Sequence, residues 1–272
     1  MTKLKVVFIS SIFLFTNYIL AYSLAAKEVF LQYNDLTLNA HLNVVENKNL
    51  EDGVIMLVHG TLAHNDMETI KNLSNVLNER GFNTLAITLS LGINNRKGMY
   101  DCSVTHRHKN LDSLDEILAW FKWLGESRVE DVILMGHSRG GNQVARFATD
   151  HREAKLKKLV LLAPSTWSQN SIEANFLRRN NQSLKKTLKK AYDLIEKAED
   201  EKIIAHAGLL SCPNANATAE SFLSYYQPDS RHDTPSILKK LNIPTLVIAG
   251  GRDTVVKDLI GRVNRITDND KL

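Results

Sequence analysis

Gly136-His137-Ser138-Arg139-Gly140-Gly141 sets one serine between glycines two positions away on either side. The motif follows the unbroken apolar run 132–135 and opens a segment that reads as a helix from Ser138 to about Asp150. Gly-x-Ser-x-Gly at a strand-to-helix junction is the pattern of a nucleophile turn. A turn that tight leaves no room for side chains at Gly136 and Gly140, holds the serine in strained backbone geometry, and presents its hydroxyl at the end of a sheet. The first turn of a helix carries unpaired N–H groups, so the Arg139 amide can face an oxyanion formed on a substrate. The chemistry this arrangement supports is attack of the serine oxygen on a carbonyl, provided another group takes the serine proton. The competing explanation is a glycine-rich turn that ends a strand for packing reasons alone.

The rest of the chain supplies elements able to position such a turn. Segments 29–32 and 36–45 alternate as two opening strands joined near Asn34-Asp35, whereas Val-Ile-Met-Leu-Val at 54–58 is the continuous apolar run of a strand buried on both faces. Ile70, Leu73 and Leu77 at helical spacing, a strand at 85–89, and Leu111, Leu114, Leu118 and Phe121 on the next helix continue the pattern. Strands at 132–135, 159–163 and 245–249 complete it. Strands alternating with helices predict an α/β fold, a doubly wound and mostly parallel sheet. Between residues 165 and 233 no buried-strand run occurs, and Leu184, Leu188, Ala191, Ile195 and Ala198 form a helical stripe. This segment reads as a helical insertion, its lysine-rich outer positions either a solvated face or a surface for an acidic substrate.

With these pieces in order, the sequence resembles the α/β-hydrolase family from about Val29 to Ile266. His59-Gly60-Thr61 follows the buried strand 54–58, where the family places its oxyanion loop, and the resemblance implies that the Thr61 amide is the second oxyanion donor beside Arg139. The run Ile243-Pro-Thr-Leu-Val-Ile-Ala-Gly-Gly-Arg-Asp253 matches the strand end from which the family supplies its triad carboxylate. By that likeness Ser138 and Asp253 are catalytic and 165–233 is a cap over the pocket. The resemblance implies no cofactor and no metal. Asp253 has a second reading, as the cap of a helix beginning near Val255.

The family order is serine, acid, histidine, yet the nine histidines stand at 41, 59, 64, 106, 108, 137, 151, 206 and 232, all before Asp253. A serine without a base is a weak nucleophile, and loss of a triad member costs on the order of 10⁴ in rate. Three expectations follow. The sequence is a truncated piece whose parent continues into a further strand and a histidine, because the apolar run 245–249 reads as an interior strand rather than an edge. Alternatively the protein is a non-catalytic binder that kept the pocket, or a histidine comes from elsewhere. For the last, His106 and His108 are the candidates, as base or, with Arg107, as a substrate carboxylate site. His-x-His with Asp101 is a weak metal signal, and plain loop hydrogen bonding is the alternative. His232 and His137 are poorer candidates, His137 being expected to turn away from the serine oxygen.

Composition bounds the class. In 272 residues, 34 Lys+Arg against 30 Asp+Glu give a net charge of +4, with 43% hydrophobic and 24% charged residues, which is globular and neither fibrous nor disordered. The basic residues are spread along the chain rather than gathered, so no nucleic-acid partner is expected; the expected partner is a small-molecule acyl substrate. Residues 1–25 read as a secretory signal peptide: Lys3 and Lys5, an apolar run, then Ser23 and Ala25 as the small residues before a cleavage site. The predicted mature domain is 26–272, secreted or periplasmic, with no membrane span once the signal is removed; an uncleaved anchor and a core helix are the alternatives. In an oxidising compartment Cys102 and Cys212 can pair, and spacing alone does not decide whether they do. Oligomeric state is not legible.

Overall fold

The computed structural model describes residues 26–256 and 258–267; the predicted signal segment and the last five residues lie outside them. Nine strands and eight α-helices are described. The opening hairpin is β1 (Lys27–Tyr33) and β2 (Leu36–Asn43), turning through Asn34 at φ 51°. Then follow β3 (Val54–Val58), α1 (Glu68–Glu79), β4 (Asn83–Thr88), α2 (Asp112–Glu126), β5 (Val132–His137), α3 (Arg139–Asp150) and β6 (Leu156–Leu162). Seven strands form one sheet in the order β1-β2-β4-β3-β5-β6-β9, where β9 is Thr245–Ile248. The pairs β1/β2 and β2/β4 are antiparallel and the rest parallel.

The continuous apolar run of β3 lies in the centre of the sheet, as its sequence requires, and every residue of β3 and of its neighbour β4 is buried. One face of the sheet packs on α2 and α3 through Leu114, Ile117, Trp120, Leu124, Val144 and Phe147, and the other on α1 through Ile70. This is the doubly wound α/β arrangement the alternation predicts. Because β3 and β5 are adjacent and parallel, Val58 pairs with Gly136, and the segments leaving both strands emerge side by side.

Two local expectations are revised. Leu111 stands before α2 with 45% exposure instead of on its buried stripe. The helix expected near Val255 is α8, Leu259–Thr267. The strand β9, whose apolar run suits neighbours on both sides, has β6 as its only partner among the described residues, and Leu246 and Ile248 are 57% and 40% exposed.

Residues 165–233 contain α4 (Gln169–Asn180), α5 (Leu184–Ile195), α6 (Ala219–Tyr226) and a short pair, β7 (Ile203–Ile204) with β8 (Ala217–Thr218). Leu184, Leu188 and Ala191 bury one face of α5, and with Phe176, Phe222 and Tyr226 they form a core separate from that of the sheet. Ala198 falls beyond the end of α5 and is exposed. The helix α7 (Thr234–Leu238) returns the chain to the sheet. Cys102 and Cys212 are joined by a disulfide, Cα atoms 5.3 Å apart, which ties the β4–α2 connection to this second core.

Candidate active site

Ser138 has φ 55° and ψ −119°, a conformation that non-glycine residues rarely adopt. Its backbone is fixed from several sides. The Ser138 N–H donates to Leu162 O at 2.9 Å, and its carbonyl accepts from Gly141 N and Ser165 N, each at 3.0 Å. Strain of this kind persists where surrounding bonds over-determine it. The glycines permit the close approach: a Cβ on Gly136 would stand 2.7 Å from Gly141 N, and one on Gly140 would stand 2.5 Å from Val58 O and closer still to His59 O. The start of α3 is therefore wedged directly against the end of β3.

That contact brings the two predicted oxyanion donors to one place. A Cβ on Gly60 would lie 3.3 Å from Ser138 Cβ, so the His59-Gly60-Thr61 turn rests on the serine. Neither the Thr61 nor the Arg139 N–H donates to a protein acceptor among the described residues. The turn is held by His59, which is 1% exposed. Its Nε2 accepts from the Leu89 N–H at 3.0 Å, with Arg96 Nη2 at 3.3 Å, which leaves Nδ1 to donate to Gly60 O at 2.8 Å. Burial, reinforced by the Arg96 charge, lowers the His59 pKa to about 3, so the ring stays neutral in this tautomer. In a trans peptide the N–H points opposite to the preceding C=O. Fixing Gly60 O thus fixes the direction of the Thr61 N–H.

Arg96, 3% exposed, ties the neighbouring segments together: it donates to Leu89 O, Gly98 O and Ala63 O. At the same sheet edge the buried Glu116 carboxylate accepts from Ser90 N at 2.7 Å and from Ser90 Oγ at 2.5 Å. Burial raises its pKa to about 7. Sequence reading assigns no role to Arg96 or Glu116. One basic residue in a loop and one acid on a helix carry no periodic signal, and only the fold shows them buried.

Asp253 lies beyond β9. Its Oδ1 accepts from Val255 N at 2.7 Å and Val256 N at 3.0 Å, so the carboxylate caps the turn ahead of α8, the second of its two readings. Among the described residues no histidine hydrogen bonds to it. It lies near enough to His137 for its charge to raise the imidazole pKa, although burial dominates and the net shift is downward. His137 Nδ1 is buried without a partner, facing the Gly60 side of the turn.

No described side chain hydrogen bonds to the Ser138 hydroxyl. His106 and His108 are engaged elsewhere: His106 Nδ1 and His108 Nε2 are 2.9 Å apart, and His108 Nδ1 is 2.8 Å from the Tyr225 hydroxyl. Tyr100 stacks on His106, and the backbone of His106 bonds to Asn216 and Thr218. Both rings are buried, 0% and 3% exposed, and burial lowers their pKa values to about 4 and about 3. Arg107 points away to Glu201, and the Asp101 carboxylate is taken by Ser103 N. The structure therefore builds this segment into the junction with α6 and does not bring it to Ser138. Among the described residues no group of three or more His, Cys, Asp or Glu side chains gathers in a metal-binding arrangement. No described helix is long and apolar enough to cross a membrane.

Solved structures share the fold. Est1E from Butyrivibrio proteoclasticus, in a form with ferulic acid bound, superposes with a TM-score of 0.61 at 18% identity, over 87% of this chain and 85% of that one. The esterase Pf2001 of Pyrococcus furiosus gives 0.55 at 17% identity, over 90% and 76%. A monoacylglycerol lipase of Paleococcus ferrophilus gives 0.54 at 18%, over 85% and 83%. No curated protein sequence matches significantly. The family model described as serine aminopeptidase, S33, matches residues 50–263, spanning the oxyanion turn, the nucleophile turn and Asp253, and the chain belongs to that α/β-hydrolase family.

Proposed function

We propose that this protein is a serine hydrolase of small carboxylic esters or related acyl substrates, acting outside the cytoplasm. The observation that carries the reading is the strained Ser138 lying against Gly60, with the Thr61 and Arg139 amides both unengaged. In this mechanism Ser138 Oγ attacks the acyl carbon, its proton passes to a base, and the two amides hold the tetrahedral oxyanion. Collapse expels the alcohol, and water then releases the acid. Esterases and a lipase among the structural neighbours support an ester substrate, and Est1E binds ferulic acid. The 165–233 segment serves as the cap over the acyl site, and no cofactor enters the scheme.

The base is proposed to lie in sequence that follows Leu272 in the parent polypeptide, aligned by Asp253. Support comes from the open outer edge of β9, whose apolar Leu246 and Ile248 suit a further strand. Export is supported by the signal-like residues 1–25 and by the Cys102–Cys212 disulfide, a bond favoured in oxidising compartments. A second reading, a binding protein that kept the pocket without the chemistry, is favoured by the absence of any described imidazole at Ser138.

Labelling by a serine-reactive fluorophosphonate tests these readings, with Ser138→Ala as the control. The expected result is Ser138-dependent labelling by a polypeptide extended past residue 272 and little by the present chain. Rapid labelling of the present chain would place the base within it. Labelling of neither would overturn the hydrolase reading in favour of the binder.

A further inference from the structure

Arg139 contributes its amide to the nucleophile turn, but its side chain has no part in that role. The guanidinium folds back over the oxyanion turn, where Nε donates to Thr61 Oγ1 at 3.2 Å, and it lies against the ring of Tyr225, 5.4 Å from the centroid. Tyr225 is in turn anchored through its hydroxyl by His108. The two terminal amino groups of Arg139 donate no hydrogen bond to protein among the described residues, and the residue stays partly exposed. No described carboxylate lies within ion-pair distance of it. Other arginines near the sheet are compensated: Arg146 lies beside Asp150 and Asp229, Arg262 beside Asp233 and Asp258, and Arg96 is surrounded by carbonyls.

A partly desolvated cation without a counter-ion is unfavourable unless something else pairs with it. Burial disfavours the charge on Arg139, the Tyr225 and Tyr226 hydroxyls offset this in part, and the one fully charged side chain that acts on it is a second cation, Arg179. The start of α3 adds the positive end of a helix dipole at the same place. The guanidinium is already oriented, with one face on Tyr225 and one nitrogen on Thr61, so its free edge is a fixed fork of donors. Such a fork suits a carboxylate bound through two parallel hydrogen bonds.

We infer that Arg139 is a specificity-determining residue and that the substrates of this site carry a carboxylate a few bonds from the scissile carbonyl, as in the monoesters of short dicarboxylic acids. The inference rests on the hydrolase reading for the word substrate, but the recognition itself needs only the pocket. The acid would occupy the free edge of the guanidinium, leaving the carbonyl oxygen to the Thr61 and Arg139 amides.

Binding measured on Ser138→Ala protein separates recognition from turnover. N-methylsuccinamate, an anionic amide in place of the ester, is compared with neutral N-methylbutanamide by ligand-observed NMR titration. The expected result is at least tenfold tighter binding of the anionic probe, shrinking at high salt. Adding Arg139→Gln should erase that preference with the neutral probe unchanged, and Arg139→Lys, which keeps the charge and loses the fork, should retain part of it. Equal binding of the two probes, or a preference that survives Arg139→Gln, overturns the inference. So does an equal loss for both probes in a folded Arg139→Gln protein, because that is what a purely structural clamp on Tyr225 would give. If the glutamine variant fails to fold, the salt dependence and the lysine variant still decide. Anion preference without fluorophosphonate labelling would leave this inference standing while the hydrolase reading fell.

Discussion

Thr61 Oγ1 accepts a hydrogen bond from Arg139 Nε at 3.2 Å, so the two residues whose amides are proposed as the oxyanion donors are also joined through their side chains. The link separates two functions that can be tested apart. Thr61→Val removes the hydroxyl and keeps the amide; Thr61→Pro removes the amide donor itself. In a polypeptide that labels with fluorophosphonate, the proline variant should react about 100-fold more slowly, the cost of losing one oxyanion donor. The valine variant should stay near the wild-type rate and lose about 1 kcal/mol of stability. Equal slowing in both would place the hydroxyl, not the amide, at the oxyanion.

The conformation of Ser138 makes a second, opposite-signed prediction. At φ 55° and ψ −119° a side chain is strained and glycine is not. Ser138→Gly should therefore abolish labelling while raising the unfolding free energy by about 1 kcal/mol. A decrease in urea stability would show that the hydroxyl contributes packing that outweighs the strain.

Much of this turn was legible in the sequence because its glycines answer a steric demand that no other residue meets. The β3 and β5 runs could be read because the stretches 54–58 and 132–135 are unbroken apolar residues. The apolar run of β9 reports a strand suited to neighbours on both sides, and the described residues supply one of them, β6. The joining of Cys102 to Cys212 was beyond reach, since 110 residues of separation say nothing about a Cα distance of 5.3 Å. His106 and His108 were legible as a pair sharing one face in extended backbone, and His106 does form a bridge to Ala217. Their partner Tyr225 is over a hundred residues away, so the network they join could not be read.

Gly140, like Gly136, should be hard to replace, since a Cβ at either would meet backbone atoms well inside contact distance. At Gly140 it meets backbone oxygens of Val58 and His59, which cannot rotate away as a side chain could. Gly140→Ala is expected to cost about 3 kcal/mol or prevent folding. Gly98 has open space around a Cβ but a φ of 72°, so Gly98→Ala should lose only about 1 kcal/mol. Matched urea unfolding curves for the two variants test the ranking.

Reduction of the disulfide probes the link between the β4–α2 connection and the second core. The bond closes a loop with a sequence separation of 110, and a cross-link of that span stabilises by about 5 kcal/mol in the chain-entropy picture. Cys102→Ser with Cys212→Ser should lower the unfolding midpoint accordingly. Loss should also appear as faster amide exchange around Tyr100 and Leu209, which pack in the same core. An unchanged midpoint would mean that the two segments are already held together by the His106 and His108 contacts.

Acidification should destabilise the fold, and the sign follows from which groups are held uncharged. His59 and His108 have native pKa values of about 3, and His106 and His232 of about 4, each lowered first by burial from 6.5. As pH falls below 6.5 the unfolded chain takes up protons that the native state refuses, so stability declines from there towards pH 4. Each such group contributes at most about 1.4 kcal/mol per pH unit. Glu116 acts in the opposite sense. Its native pKa of about 7 lies above its ordinary 4.5, so between those values the native state holds a proton that the unfolded chain has lost. One carboxyl opposes four imidazoles, and the net slope remains a loss on acidification. Urea midpoints measured from pH 7.5 to pH 5 should fall steadily, and Glu116→Gln should make the fall steeper by removing the opposing group. A flat profile, or a shallower one in the glutamine variant, would contradict the neutral, buried state assigned to these histidines.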